Sequence, residues 1–357
     1  MTNSLGKNIS REINRELTER EREILRQIVQ LYILKASPIG SRFLSKYFGE
    51  ELKLSPATLR NIMADLEELD YISHPHTSAG RVPTDKGYRF YVDNISKIEK
   101  LKRSEIITLQ DSLISEYSES VFKNASKILG MLSQYLGIVQ FPNIRDLTVH
   151  KIELIELSSN RILVVVAMDS NIVRTVTIEA DIDSKIERLD EISTILNERV
   201  SGKSLKYIRE NFSGIINDLN YRNTPLIRLF TDSVDRIFAR ENSSDRVAIT
   251  GTQHLLNHPE FEAPERMKGV IELVENEDII IHLFEQLDES NKVQVYIGRE
   301  LKSNVLNEYS LIKSTYKIGN ATGTIGLIGP KRMNYSKMIS LVQYVSDILS
   351  GNQEFPA

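Results

Sequence analysis

The chain has 357 residues, more than one hydrophobic core usually spans, so two or three domains are expected. Hydrophobic residues at 41 % and charged residues at 26 % are ordinary for a soluble globular protein, and the absence of cysteine excludes a disulfide framework, a thiolate zinc site and a cysteine nucleophile. The net charge of −4 is unevenly spread: residues 1–103 hold 18 Lys and Arg against 14 Asp and Glu, a balance of +4, and the remainder carries −8. A basic N-terminal module on an acidic body is the charge layout of a DNA reader with a separate regulatory part. The longest apolar run, Ile162 to Met168, is far shorter than the roughly 20 residues a membrane-spanning helix needs. The first residues interleave Lys7, Arg11 and Arg15 with Glu12, Glu16 and Glu19 and hold no apolar signal segment, so a cytoplasmic protein is expected.

In chain order, residues 1–17 are polar and aperiodic and read as a flexible arm. Thr18 with Glu21 forms a capping-box pattern and opens a helix to about Lys35, striped by Ile24, Leu25, Ile28, Val29, Leu31 and Tyr32. Pro38 and Gly40 break the chain, and Ser41 is placed as the N-cap of a short helix carrying Phe43, Leu44 and Tyr47. The stretch SPATLRNIMADLEELDYI then starts a third helix, with Ser55 as cap and Pro56 at the first position, where its missing N–H costs nothing. Leu59, Ile62, Met63, Leu66 and Leu69 share its buried side, and Ala57, Arg60 and Asn61, with Thr58 at the margin, lie opposite.

Three short helices with a turn between the second and third make a helix-turn-helix, whose last helix enters the major groove N-terminal end first. Arg60 can bond guanine and Asn61 adenine in bidentate fashion, while Ala57 allows close approach or touches a thymine methyl; Ser55 and Thr58 complete the base-reading set. The segment YISHPHTSAGRVPT then reads as strand (Tyr71 to His74), turn (Pro75, Gly80) and strand (Arg81 to Thr84), the wing of a winged helix. His74, His76, Ser78 and Arg81 of this wing, with Ser41 and Arg42 before it, are expected along the DNA backbone or minor groove. Thr84 caps a further helix that offers Lys86 and Arg89 to phosphates, contacts that position without specifying sequence.

Residues 94–103 form a charged linker, and a long amphipathic helix is expected over about 104–135. VHKIELIEL, RILVVVAMD and IVRTVTIEA read as three antiparallel strands, residues 186–240 as mostly helical, and QVYIGREL, SLIKSTYKI and TGTIGLIG as three more strands before a last helix, Tyr335 to Ser350. Strands split by a helical block imply an α+β domain with an insertion. His254 and His258 stand four apart, but Leu255 replaces the Glu of a zinc protease and no third ligand is evident, so no metal is expected. Gly323, Gly326 and Gly329 fit neither GxGxxG nor a P-loop and read as bends in an edge strand. No catalytic grouping is identified, and neither an enzyme nor a cofactor is expected.

The run LSPATLRNIMADLEELDYISHPHTSAGRVPTDKGYRFYVD resembles the N-terminal signature of the heat-inducible transcription repressor family, HrcA. GTQHLLNHPEF (Gly251 to Phe261) and GTIGLIGPKRMNY (Gly323 to Tyr335) resemble that family's later motifs in the same order, so the likeness extends from Thr18 to Leu349. Two departures stand out: Ile62 replaces a usually polar or acidic residue, and Asp70 a usual Gly at what should be a left-handed helix terminus, which Asp tolerates. The resemblance implies a winged helix over 18–93, a GAF-like α/β domain over 104–194 and 263–350, and an inserted dimerisation domain over 195–262. It further implies a homodimeric repressor of chaperonin and related chaperone operons that binds an inverted-repeat DNA operator and is kept active by the chaperonin. The rival reading is a small-ligand-responsive transcriptional regulator that uses the GAF-like pocket.

Overall fold

The computed structural model describes residues 15–52, 54–75, 80–113, 120–143, 146–158, 160–169, 172–179, 189–216, 225–238, 246–261, 264–287 and 292–351. The chain divides into two compact units. One joins the chain up to Lys97 with Ile297–Tyr309 and Pro330–Ser336; the other holds Ile98–Tyr296, Ser310–Gly329 and the chain from Lys337.

The first unit opens with α1 (Glu19–Lys35), whose Ile24, Leu25, Ile28, Val29 and Leu31 are fully buried. Its capping box is formed: Thr18 N–H donates to Glu21 Oε2 at 2.8 Å and Glu21 N–H to Thr18 Oγ1 at 3.3 Å. Leu17 is buried and Arg15 pairs with Glu21, so the last residues of the expected arm are docked; residues 1–14 lie outside the described residues. Helix α2 (Ser41–Leu52) follows, with Ser41 as its first helical residue rather than its cap, because Gly40 O accepts the Leu44 N–H at 2.9 Å.

Helix α3 (Pro56–Glu68) buries Leu59, Met63 and Leu66, with Ile62 half-buried. Asp70 takes φ 61°; its N–H bonds Glu67 O and the Tyr71 N–H bonds Leu66 O, which is the Schellman pattern expected of a left-handed terminus. The hairpin is short, β1 (Ile72–Ser73) against antiparallel β2 (Val82–Pro83), and leads into α4 (Asp85–Asp93), capped by Thr84.

The second unit begins with α5 (Arg103–Leu113) and α6 (Ser120–Ser133), the ends of the expected long helix; residues 114–119 lie outside the described residues. Then come β3 (Leu136–Gln140), β4 (Val149–Ser158), β5 (Arg161–Met168), β6 (Val173–Glu179), α7 (Leu189–Val200), α8 (Leu205–Ile215), α9 (Pro225–Phe238), β7 (Val247–Thr250) and α10 (Thr252–Leu256). After α11 (Pro264–Glu275) and α12 (Glu277–Gln286), β8 (Gln294–Ile297), β9 (Tyr309–Ile318) and β10 (Ala321–Pro330) precede α13 (Tyr335–Leu349).

Two sheets result. The larger has the order β7-β3-β10-β9-β8, and the smaller is an antiparallel meander, β4-β5-β6. Helix α7 covers the outer edge of β4: Asn197 Oδ1 accepts the Ile152 N–H and Asn197 Nδ2 donates to Ile152 O, both at 2.7 Å, in place of a neighbouring strand.

The chain leaves the five-stranded sheet after Gln140 and re-enters it at Val247. This topology changes two sequence-based expectations, at β10 and after Ile297. Hydrophobic alternation marks β4, β5 and β6 as strands without revealing which sheet they join. Strand β10 is central, not at an edge, and its Gly323 is pressed by the Tyr316 ring, which would stand 2.4 Å from an added Cβ. The QVYIGREL strand ends at Ile297, and Gly298–Leu301 turn into a 3-10 helix.

Candidate nucleic-acid interface

Helix α3 sits as an amphipathic rod with one face in the core of the first unit and the other open to solvent. Ala57, Thr58, Arg60 and Asn61 are all exposed on that open face near its start. Arg60 and Asn61 make no hydrogen bond or ion pair among the described residues, so their donors are available to a partner. Ser55 is the N-cap of α3, as its place before Pro56 predicts. Its hydroxyl accepts the Thr58 N–H at 3.1 Å and meets the Thr58 hydroxyl at 2.9 Å, so both side chains are engaged in capping α3.

The base of the wing is tied to the same helix. Glu67, in the last turn of α3, receives His74 on one oxygen and Arg81 Nη2 on the other, the latter at 2.8 Å. These two residues, expected on the DNA backbone, therefore hold the hairpin against α3, and Arg81 is largely buried. His76 and Ser78 lie outside the described residues. A backbone bridge between Ile39 and Arg81 joins the hairpin to the entry of α2, with Ile39 N–H to Arg81 O at 2.9 Å and Arg81 N–H to Ile39 O at 2.8 Å. Gly80 makes this approach possible: an added Cβ would lie 2.5 Å from Ile39 C.

The cations expected to follow the wing are also committed within the unit. Lys86 Nζ donates to Leu69 O at 2.9 Å and lies 4.4 Å from the Tyr71 ring centre, placing positive charge on the C-terminal end of α3. Arg89 forms a two-pronged pair with Glu300 and reaches Asp93 at 3.2 Å. Nearby, Asp85 accepts the Arg299 N–H at 3.1 Å and pairs with Lys331 at 2.7 Å, and Arg332 donates to Ile33 O at 3.2 Å. The residues missed by sequence reasoning are thus Glu67, Asp85, Glu300 and Lys331. Glu67 had a weak local signal, an acidic residue one turn before the wing, whereas Glu300 lies 211 positions from Arg89 and no local rule reaches it.

An open cleft of about 300 Å³ lies beside the open face of α3, bounded by the start of α2 (Gly40, Ser41, Arg42), by Arg60, and by Gly80 and Arg81 of the wing. Elsewhere, His258 stacks on Tyr135 with ring centres 5.0 Å apart and contacts Gln134 O, a packing role. Among the described residues no group of three or more His, Asp or Glu is placed to hold a metal, and no helix is long and apolar enough to cross a membrane.

Comparison with known proteins agrees with this layout. Residues 16–96 match the family model for the winged helix-turn-helix transcription repressor HrcA, DNA-binding, and residues 119–339 match that for the HrcA protein C-terminal domain. The heat-inducible transcription repressor HrcA of Chlorobium phaeobacteroides (strain BS1) is 36 % identical over 347 residues, covering 94 % of this chain and 98 % of the relative. That of Chlorobium chlorochromatii (strain CaD3) is 36 % identical over 341 residues, covering 94 % and 97 %. A crystal structure described only as that of a hypothetical protein at 2.2 Å resolution superimposes with a TM-score of 0.71 at 26 % identity, covering 94 % of this chain and 98 % of the other. A DNA-binding winged helix followed by a mixed helix-and-sheet domain, matched along nearly its whole length by named repressors and by both family models, places this chain in the HrcA family of heat-inducible transcription repressors, a family of DNA-binding regulators and not of enzymes.

Proposed function

We propose that this repressor acts as a homodimer on an inverted-repeat operator upstream of chaperonin and related chaperone operons, with one α3 in the major groove of each half-site. The observation that carries the reading is the exposed, uncommitted pair Arg60 and Asn61 beside Ala57 on the open face of a helix whose other face is buried. Asn61 is the base reader with the clearest chemistry, an adenine contact through its amide. The excursion between β3 and β7 is the proposed dimerisation element, and the sheet around β3 and β10 the proposed GAF-like core. The chaperonin is the proposed partner that keeps the repressor active, so that heat, by drawing chaperonin to other unfolded chains, releases the operons.

A titration of the full chain on inverted-repeat and scrambled duplexes, with and without chaperonin and ATP, tests this. The expected result is preferential binding to the repeat, at a stoichiometry of two chains per duplex, rising when chaperonin is present. Preference that ignores chaperonin but changes saturably with a small metabolite would replace chaperonin control with ligand control.

A further inference from the structure

Two stretches far apart in the sequence, TDKGYRFYVD and the GPKRMNY end of GTIGLIGPKRMNY, meet within the first unit. Asp85, in the first turn of α4, holds Lys331 on one carboxylate oxygen at 2.7 Å and the Arg299 N–H on the other at 3.1 Å. The two side chains are 26 % and 20 % exposed, so solvent and salt screen their attraction less than that of an open surface pair. Gly298 makes room for the carboxylate, since an added Cβ would overlap it. One turn along α4, Tyr88 packs on Tyr335 with ring centres 6.2 Å apart, and the Tyr335 hydroxyl donates to Lys331 O at 2.6 Å, which fixes the backbone that carries Lys331.

The residues on either side of Asp85 grip the recognition helix. The Thr84 hydroxyl donates to Asp70 O at 2.6 Å and Lys86 Nζ to Leu69 O at 2.9 Å, both at the C-terminal end of α3. Consecutive residues 84, 85 and 86 therefore bind α3, then Lys331, then α3 again. The start of α4 does not need Asp85 for its own closure, because Thr84 Oγ1 already accepts the Gly87 N–H at 3.2 Å. Helix α3 is a rod about 20 Å long at 1.5 Å per residue, so a change of angle at its C-terminal end displaces the N-terminal half that holds Asn61.

We infer that Asp85 is a positioning residue for DNA recognition: clamped by Lys331, it fixes α4, and through Thr84 and Lys86 it sets the angle at which α3 presents Asn61 to a base edge. The inference rests on the proposed base-reading role of α3 and deepens it. Control of operator recognition then enters through residues 330–336, which run on directly from β10, with no contact between Lys331 and the DNA.

The test measures binding of the full chain to inverted-repeat and scrambled duplexes by fluorescence anisotropy over a range of salt, at a temperature well below the thermal midpoint of each variant. By electrostatics alone, removing an acid from a DNA-binding unit tightens binding to every duplex. Asp85→Asn should do the opposite on the repeat, weakening it about tenfold, the scale of one misplaced base contact, while scrambled DNA binds at least as well as before. Lys331→Met should lose the same preference with its salt slope unchanged, and Lys331→Arg, which keeps the charge, should retain most of it. The double variant should be no worse than either single one, because both remove the same link. If Asp85→Asn does not fold, the comparison of Lys331→Met with Lys331→Arg carries the result.

Wild-type preference retained by both single variants, with only the thermal midpoint lowered, would overturn the inference and leave Asp85 a purely structural residue. Tighter binding of Asp85→Asn to both duplexes would overturn it in favour of plain charge repulsion, and a salt slope lowered by about 1 in Lys331→Met would make Lys331 a phosphate contact. Wild-type protein that does not prefer the repeat over scrambled DNA would instead sink the base-reading role itself, an outcome visible before any variant is made.

Discussion

At the residue scale, two positions decide how the DNA-binding unit holds its shape. Asp70 occupies a left-handed turn at φ 61°, where a β-carbon crowds the backbone and Gly would not. Its backbone is already used twice, since the N–H bonds Glu67 O and the carbonyl accepts the Thr84 hydroxyl at 2.6 Å, so the turn is enforced from both sides. Asp70→Gly should therefore raise stability by about 0.5–1 kcal/mol in chemical denaturation without altering DNA affinity. Glu21 is the second position. The Arg15 guanidinium, against the opposing effect of burial and with help from the Thr18 N–H and hydroxyl, lowers its carboxyl from the usual 4.5 to about 2. A carboxyl depressed in the folded state stabilises the fold fully above its unfolded pKa and loses that contribution as pH falls through its folded pKa. The thermal midpoint of the wild type should accordingly fall between about pH 4.5 and pH 2 more steeply than that of Glu21→Gln, whose side chain does not titrate. Both positions were legible in the sequence, because a capping box and a helix terminus are defined within a few residues of chain.

At the element scale, sequence reasoning located the helices and the hairpin and put Ala57, Arg60 and Asn61 on the open face of α3, but it did not reveal the partners that several surface cations have within the unit. Spacing shows that Lys86 and Arg89 lie on α4; it cannot show that Leu69 O and Glu300 are waiting for them. The same limit applied to the excursion between β3 and β7, since alternation defines a strand's faces and not its neighbours. Arg89→Ala should consequently leave the salt slope of DNA binding unchanged and lower the stability of the unit. A double-mutant cycle with Glu300→Ala should give a coupling of about 0.5–1 kcal/mol, modest because both side chains remain partly solvated. A lower slope for Arg89→Ala at unchanged stability would return Arg89 to the DNA backbone. Gly80→Ala should cost about 1–3 kcal/mol, as its methyl group drives into the Ile39 backbone and separates the hairpin from α2. Its DNA affinity should fall on every sequence alike, because the wing and the cleft shift together.

At the scale of the whole molecule, the DNA-binding unit is not a contiguous N-terminal piece. It includes Ile297–Tyr309 and Pro330–Ser336, joined to α4 and α1 through Asp85, Arg89 and the Ile33 carbonyl. A fragment ending near Lys97 would lose these partners and leave Asp85 and Arg89 unpaired with them, so it should melt below the full chain. The central claim, that α3 reads bases through Asn61, is tested most directly by fluorescence anisotropy of full-length wild type and Asn61→Ala on an inverted-repeat and a scrambled duplex at one fixed salt concentration. Wild type should prefer the repeat, and Asn61→Ala should lose about 1–3 kcal/mol on the repeat while binding scrambled DNA as before. Equal losses on both duplexes would contradict the claim and make α3 a backbone-contacting helix.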